Sequence, residues 1–232
     1  MRNDVVGVLL AGCGRMDGSE IYETVLTLLF LKRTGLQVRC YAPDIYSDTV
    51  LDHRSGSPHN GERRSVLAEA TRLVREKVEP LEAFSADDVG ALVIPGGGGV
   101  LSVFSTFMQA GAAFDVLPDV ERAILEVHDS SKVLAGMCIA PLILARALRD
   151  RRLRPKLAFG ADRELNAIME SLGATPVLSA PDAVVVDDAN RIVSTPAYMV
   201  ESEMPNVACG IEKVAGEIAR LIGDHRGTSS CS

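Results

Sequence analysis

Val5 to Ala11 is an unbroken apolar run rich in Val and Leu, the pattern of a strand covered on both faces. A glycine-bearing turn from Gly12 to Gly18 follows. Ser19 then precedes EIYETVLTLLFLKR, where Ile21, Val25, Leu28 and Leu29 recur at helical spacing and predict the buried stripe of a first helix stopped at Gly35. Val38 to Ala42 reads as a second strand, ended by Pro43-Asp44. The polar stretch Ser47 to Arg64 reads as an excursion or hairpin beside the sheet. Ser65 to Lys77 is amphipathic, with Val66, Leu67, Ala70, Leu73 and Val74 turned inward, and Ala91 to Ile94 is a short buried strand. Phe104 to Asp119 is mixed in pattern and reads as mobile, its apolar part Phe104 to Phe114 suited to an interface or a lid. Pro118 opens a helix to His128.

Val133 to Met137 is again a buried strand, and Ile139, Leu142, Ile143 and Ala147 place a helix over Ile139 to Leu148. Leu157 to Gly160 is a strand, Glu164 to Leu172 a helix closed by Gly173, and Val177 marks a further short strand. Ala183 to Val186 and Arg191 to Ser194 flank the polar turn Asp187 to Asn190 as a hairpin. Pro205 to Ile222 is the closing helix, and the polar tail 224–232, with Cys231, is expected to be disordered. Strands alternating with helices predict an α/β protein, a mostly parallel sheet with helices on both faces, in one domain over residues 1–223.

At 232 residues and 47% hydrophobic, the chain is long enough for one sizeable core. Its net charge of -7, with no Lys/Arg run long enough to track phosphates, argues against a nucleic-acid partner; Arg149 to Arg154 is a short loop cluster. No charge-free apolar stretch approaches the roughly 18 residues of a membrane span. The first four residues open straight into a strand and leave no room for a signal or transit peptide, so a cytoplasmic protein is expected. Five cysteines at unmatched spacings form neither a disulfide framework nor a zinc pattern, and no metal or other cofactor is expected.

The candidate chemistry centres on Cys138. It stands between a buried strand and a helix, so the chain must turn sharply there, beside free amides and the positive end of a helix dipole that favour thiolate. This is the arrangement of a nucleophile elbow, although a small buried thiol filling the core gives the same pattern. Glu20 and Glu23 lie in the first turn of the first helix, where acids are ordinarily favoured. Glu23 also precedes the predicted stripe at the carboxyl end of the first strand, where residues of a parallel sheet converge on one crevice, so it is expected to face Cys138. Gly96 to Gly99 lack the spacing and the lysine of a phosphate loop. They read either as an amide-donor loop beside Cys138, with Gly97, Gly98 and Ile139 holding a substrate oxyanion, or as a flexible turn. His53 and His59 fall in the polar excursion and His128 at a helix end, where structural or solvated roles are expected.

Several of these motifs, in one order from about Val5 to Ile222, resemble the ElbB family of the ThiJ/PfpI superfamily, which is similar to class I glutamine amidotransferases. They are Gly12-Cys13-Gly14, Asp17 to Ile21 with Glu23, Ala42-Pro43-Asp44, Val93 to Gly97, Cys138 to Pro141 and Ile192 to Met199. The resemblance implies a single flavodoxin-like domain, commonly a homodimer, with Cys138 as nucleophile and Glu23 as the facing acid. It also implies a glyoxalase that needs neither glutathione nor metal, accessory to isoprenoid synthesis. Ile139 stands where the superfamily's proteases carry a histidine.

Three functions remain open on the sequence. One is conversion of glyoxal or methylglyoxal to the 2-hydroxy acid through a Cys138 hemithioacetal, with Glu23 moving the proton. Another is Cys-dependent hydration or hydrolysis of an isonitrile, nitrile or amide. The third is a non-catalytic partner protein whose Cys138 is reversibly oxidised, which requires an accessible thiol of low pKa.

Overall fold

The computed structural model describes residues 4–200 and 203–229. Its first half runs β1 (Val5–Leu9), α1 (Ile21–Arg33), β2 (Gln37–Ala42), β3 (Tyr46–Ser47), β4 (Arg64–Ser65), α2 (Val66–Leu73), β5 (Val78–Pro80), β6 (Ala91–Ile94), α3 (Gly98–Ser102) and α4 (Phe107–Ala110). The second half runs α5 (Pro118–Asp129), β7 (Val133–Met137), α6 (Ala140–Leu148), β8 (Lys156–Phe159), α7 (Arg163–Ser171), β9 (Thr175–Leu178), β10 (Val185–Asp187), β11 (Ile192–Thr195) and α8 (Met204–Ser229).

Seven strands form one sheet in the order β10-β11-β7-β6-β1-β2-β5. All neighbours are parallel except the β10–β11 hairpin, so the expected α/β architecture is what the chain adopts. Every residue of β1, β6 and β7 is buried, as strands covered on both faces require. From β1 the chain moves outward to β2 and β5 on one side. It then returns to β6, β7 and β11 on the other, and the reversal between β1 and β6 opens a crevice at the carboxyl ends of the strands. β8 and β9 pair in parallel as a separate two-stranded sheet, tied to the main one where Ser194 Oγ accepts the Ala158 amide at 2.8 Å.

Four expectations are corrected. The buried residues of α1 are Glu23, Thr24, Thr27, Leu28, Phe30 and Leu31, whereas Ile21, Val25 and Leu29 of the predicted stripe are exposed. The physical reason is that the helix lies over the polar crevice: Thr24 Oγ1 donates to the Glu20 carbonyl and Thr27 Oγ1 donates to Met137 Sδ at 3.5 Å, so half the inward face is hydrogen-bonded rather than apolar. Phe104 to Asp119 is no mobile lid. Phe104 and Phe114 are fully buried, the Thr106 amide and Oγ1 bond the backbone of Asp115, and Arg146 Nε donates to the Phe114 carbonyl at 2.7 Å. α2 ends at Leu73, short of Lys77. The closing helix continues to Ser229, through part of the expected tail, while Cys231 lies outside the described residues.

The excursion from Ser47 to Arg64 does close as a hairpin, with β3 antiparallel to β4. It is pinned to the loop after β1, since Asp17 Oδ2 accepts the Leu51 amide at 2.7 Å and His53 Nε2 accepts the Met16 amide at 3.3 Å.

Candidate active site

Cys138 sits on the turn from β7 into α6 at φ 57°, the left-handed region that non-glycine residues occupy only under constraint. Its amide donates to the Thr195 carbonyl at the end of β11 at 3.1 Å, which holds the turn. A side chain at Gly136 would come within 3.0 Å of Leu144 Cδ1, so a glycine there lets α6 lie close on the strand. The result is a part-buried thiol at the mouth of the crevice.

Glu23, fully buried in the first turn of α1, faces that thiol within hydrogen-bonding reach. Its Oε2 accepts the Gly96 amide at 2.7 Å and its Oε1 meets the Tyr198 amide at 3.5 Å. Gly96 returns the connection, its carbonyl accepting the Glu20 amide at 2.8 Å. Glu20 is the N-cap of α1 and takes the Glu23 amide on Oε2 at 2.7 Å. A Cβ at Gly96 would lie 2.5 Å from Cys138 Cβ and 2.6 Å from Glu23 Oε2, so only a glycine fits between thiol and acid.

Burial, and secondly the nearby Glu20 carboxylate, push the Glu23 carboxyl up to about 7. Burial, and secondly the Glu23 carboxylate, push the Cys138 thiol well above its ordinary range; amides of Ile139 and Gly97 pull the other way. The expected thiolate is thus corrected, because one helix end with two amides does not offset desolvation beside an acid. The site instead holds a protonated thiol facing a carboxyl whose ionisation is raised toward neutral pH.

The structure brings all five sequence candidates, Cys138, Glu23, Gly97, Gly98 and Ile139, to one crevice. The Gly98 amide, however, is already spent on the Arg15 carbonyl at 2.8 Å and is not free to hold an oxyanion. Three of the four glycines carry a further constraint that neither reading of the sequence contains. They pack backbone to backbone against the loop after β1, and a Cβ at Gly97, Gly98 or Gly99 would fall 2.4 Å from Gly18 O, 1.9 Å from Met16 O and 2.5 Å from Gly18 Cα respectively. Among the histidines, His59 pairs with Glu62 and His53 stands 3.5 Å from Asp17, in the support of that loop.

A cavity of about 620 Å³ opens over Cys138. Gly97, Gly98, Cys138 and Ile139 line it together with Tyr22, Leu101, Tyr198 and Met204, and Arg15 and Glu20 bring charge to it. Arg15, Tyr22, Tyr198 and Met204 were not among the sequence candidates. The signal existed for two of them: Arg15 follows β1 and Tyr198 follows β11, the same strand-end rule that singled out Glu23. Tyr198 remains a phenol, since burial and the carboxylates of Glu20 and Glu23 push its ionisation upward. A larger depression of about 770 Å³, between Phe84 to Asp87 and α5, lies away from these groups.

No protein-family model matches the chain. It is 34% identical to human glutamine amidotransferase-like class 1 domain-containing protein 3, mitochondrial, over 94% of this chain and 83% of that protein. It is 33% identical to the rat ES1 protein homolog, mitochondrial, over 94% of this chain and 84% of that one. Among solved structures, an isoprenoid biosynthesis protein with amidotransferase-like domain from Ehrlichia chaffeensis superposes with a TM-score of 0.85 at 32% identity, covering 94% of this chain and 99% of that chain. The relatives are mitochondrial by name, which overturns the expectation of a cytoplasmic protein.

Proposed function

This chain belongs to the class I glutamine amidotransferase-like family that includes the ES1 proteins, and on that premise we propose a cysteine-dependent enzyme that converts 2-oxoaldehydes to 2-hydroxy acids, as the ElbB resemblance implies. The observation that carries the reading is one thiol and one buried carboxyl sharing a site, with two amides, of Gly97 and Ile139, aimed at the same sulfur.

The thiol gives its proton to the Glu23 carboxylate as sulfur attacks the aldehyde carbon, and the two amides hold the oxyanion that forms. Glu23 returns that proton to the oxygen, completing a hemithioacetal. The carboxylate next takes the hydrogen from C1 and delivers it to C2, while the C1 hydroxyl proton passes to the C2 oxygen. The product is a thioester of the 2-hydroxy acid. Water cleaves it, releasing the acid and restoring the thiol.

Because Glu23 acts as a base, kcat/KM for methylglyoxal is expected to rise with pH through about 7, where this carboxyl ionises. Glu20→Gln removes one cause of the elevated value, so the rising limb moves to lower pH; Glu23→Gln loses the limb. A profile flat from pH 5 to 9 in the unmodified protein would overturn the role of Glu23.

An exposed apolar strip on α1 supports the homodimer that the resemblance implies. Ile21, Tyr22, Val25 and Leu29 form one strip of that helix at 41–55% exposure, the kind of apolar surface that a two-fold helix pair covers. We propose this strip as the contact with a second copy. Val25→Glu is expected to convert a dimer to a monomer by light scattering, and an unmodified protein already monomeric would dismiss it.

A further inference from the structure

The cavity over Cys138 is far roomier than a three-carbon dicarbonyl needs, and it carries one feature the reaction above does not use. Arg15 is its only positively charged lining residue, and its guanidinium makes no hydrogen bond or ion pair among the described residues. The backbone that presents it is fixed from three sides. The Arg15 carbonyl accepts the Gly98 amide at 2.8 Å, the next amide, of Met16, donates to His53 Nε2 at 3.3 Å, and the preceding Gly14 amide donates to the Ser19 carbonyl at 3.0 Å. Glu20 does not neutralise it: no ion pair joins the two, and one Glu20 oxygen is occupied by the Glu23 amide. The uncharged lining is mostly apolar, with Tyr22, Leu101, Ile139 and Met204.

Arg15 is exposed, and an unpaired guanidinium reaching over an apolar cavity from a fixed backbone suits the planar oxyanion of a carboxylate or a phosphate. We propose that Arg15 is a specificity-determining anion anchor, and that the substrate of this site is a carbonyl compound with an apolar segment ending in an oxyanion. The substrate class rests on the reading of Cys138 as the reacting group; the anion anchor itself does not.

Two measurements separate these claims. The first is binding, followed by NMR on the Cys138→Ala protein, with hexanoate, hexyl phosphate and neutral hexanamide as probes. At least one anion is expected to bind ten-fold or more tightly than the amide, and which of the two does so identifies carboxylate or phosphate. Arg15→Gln is expected to bring anion and amide within two-fold of each other, and Arg15→Lys to restore part of the preference. Equal binding of all three probes, or a preference that survives Arg15→Gln, overturns the anchor.

The second is turnover of 4,5-dioxopentanoate against 2-oxopentanal by the unmodified protein. A ten-fold higher kcat/KM for the anionic substrate, lost in Arg15→Gln, supports the substrate class when the anchor is a carboxylate site. Turnover of 2-oxopentanal with no such preference overturns a carboxylate substrate while leaving the cysteine chemistry intact. Arg15-dependent binding with neither compound consumed supports the anchor and overturns the 2-oxoaldehyde reaction.

Discussion

Cys138→Ala is expected to lower turnover of methylglyoxal by about 10³-fold or more, because the variant removes the atom that bonds to substrate and leaves only the oxyanion donors. The measurement is loss of methylglyoxal together with appearance of the 2-hydroxy acid, with the circular dichroism spectrum as a check on folding. Cys138→Ser separates shape from chemistry. It keeps a small side chain at the φ of 57° but replaces a polarisable sulfur by a hydroxyl of much higher pKa, beside a base whose own value is only about 7. It is expected to be folded and inactive. Retention of the full rate by either variant would refute a covalent role for this residue, whatever else the cavity binds.

Gly98→Ala is expected to destabilise the fold by roughly 3–5 kcal/mol, among the larger values for a single substitution. A methyl there would overlap the Met16 carbonyl oxygen at 1.9 Å, a backbone atom that cannot swing aside as a side chain could. Relief requires the loop after β1 to move away from α3, which breaks the bond from the Gly98 amide to the Arg15 carbonyl. For a chain of this size, that loss corresponds to a fall in Tm of about 6–20 °C, read by calorimetry. Gly35→Ala serves as the contrasting control. Gly35 meets nothing within 4 Å and carries only the cost of its φ of 84°. If Gly98→Ala proved no worse than Gly35→Ala, the backbone-to-backbone packing would be refuted.

Much of the architecture was legible because fully buried parallel strands leave an unmistakable trace: β1, β6 and β7 are the apolar runs, and each is followed by the turn that the site uses. The elbow at Cys138 was legible for the same reason, a strand pattern passing into a helical one across a single residue. Glu23 could be placed through its position after β1, yet the reasoning about its helix was wrong. Hydropathy selects the apolar stripe of α1 as the inward one, and here the inward face is set by hydrogen bonds to Glu20, Gly96 and Met137 that no periodicity encodes. The segment with Phe104 and Phe114 misleads in the opposite sense, since two aromatic anchors and a guanidinium fix a stretch that lacks any period. Four successive glycines suggest freedom or a ligand when seen alone. The constraint on Gly97 to Gly99 comes from the backbone of Met16 and Gly18, some 80 positions earlier in the chain, and that on Gly96 from Cys138 and Glu23. The ionisation state of the thiol was likewise beyond the sequence, because it depends on how deeply two groups from separate units are desolvated together.

The docking of the Gly96–Gly99 stretch onto the Arg15–Gly18 loop also bears on how the chain matures. Thiol, acid and amide donors come from the ends of β7, β1 and β6, and they meet only once those strands have paired and the two loops have closed on each other. Contacts so distant along the chain form late, after the entropy of closing long loops has been met. A nascent or truncated polypeptide therefore carries its sulfur without the neighbours that give it a task, and reactivity switches on with completion of the native topology rather than building up as synthesis proceeds.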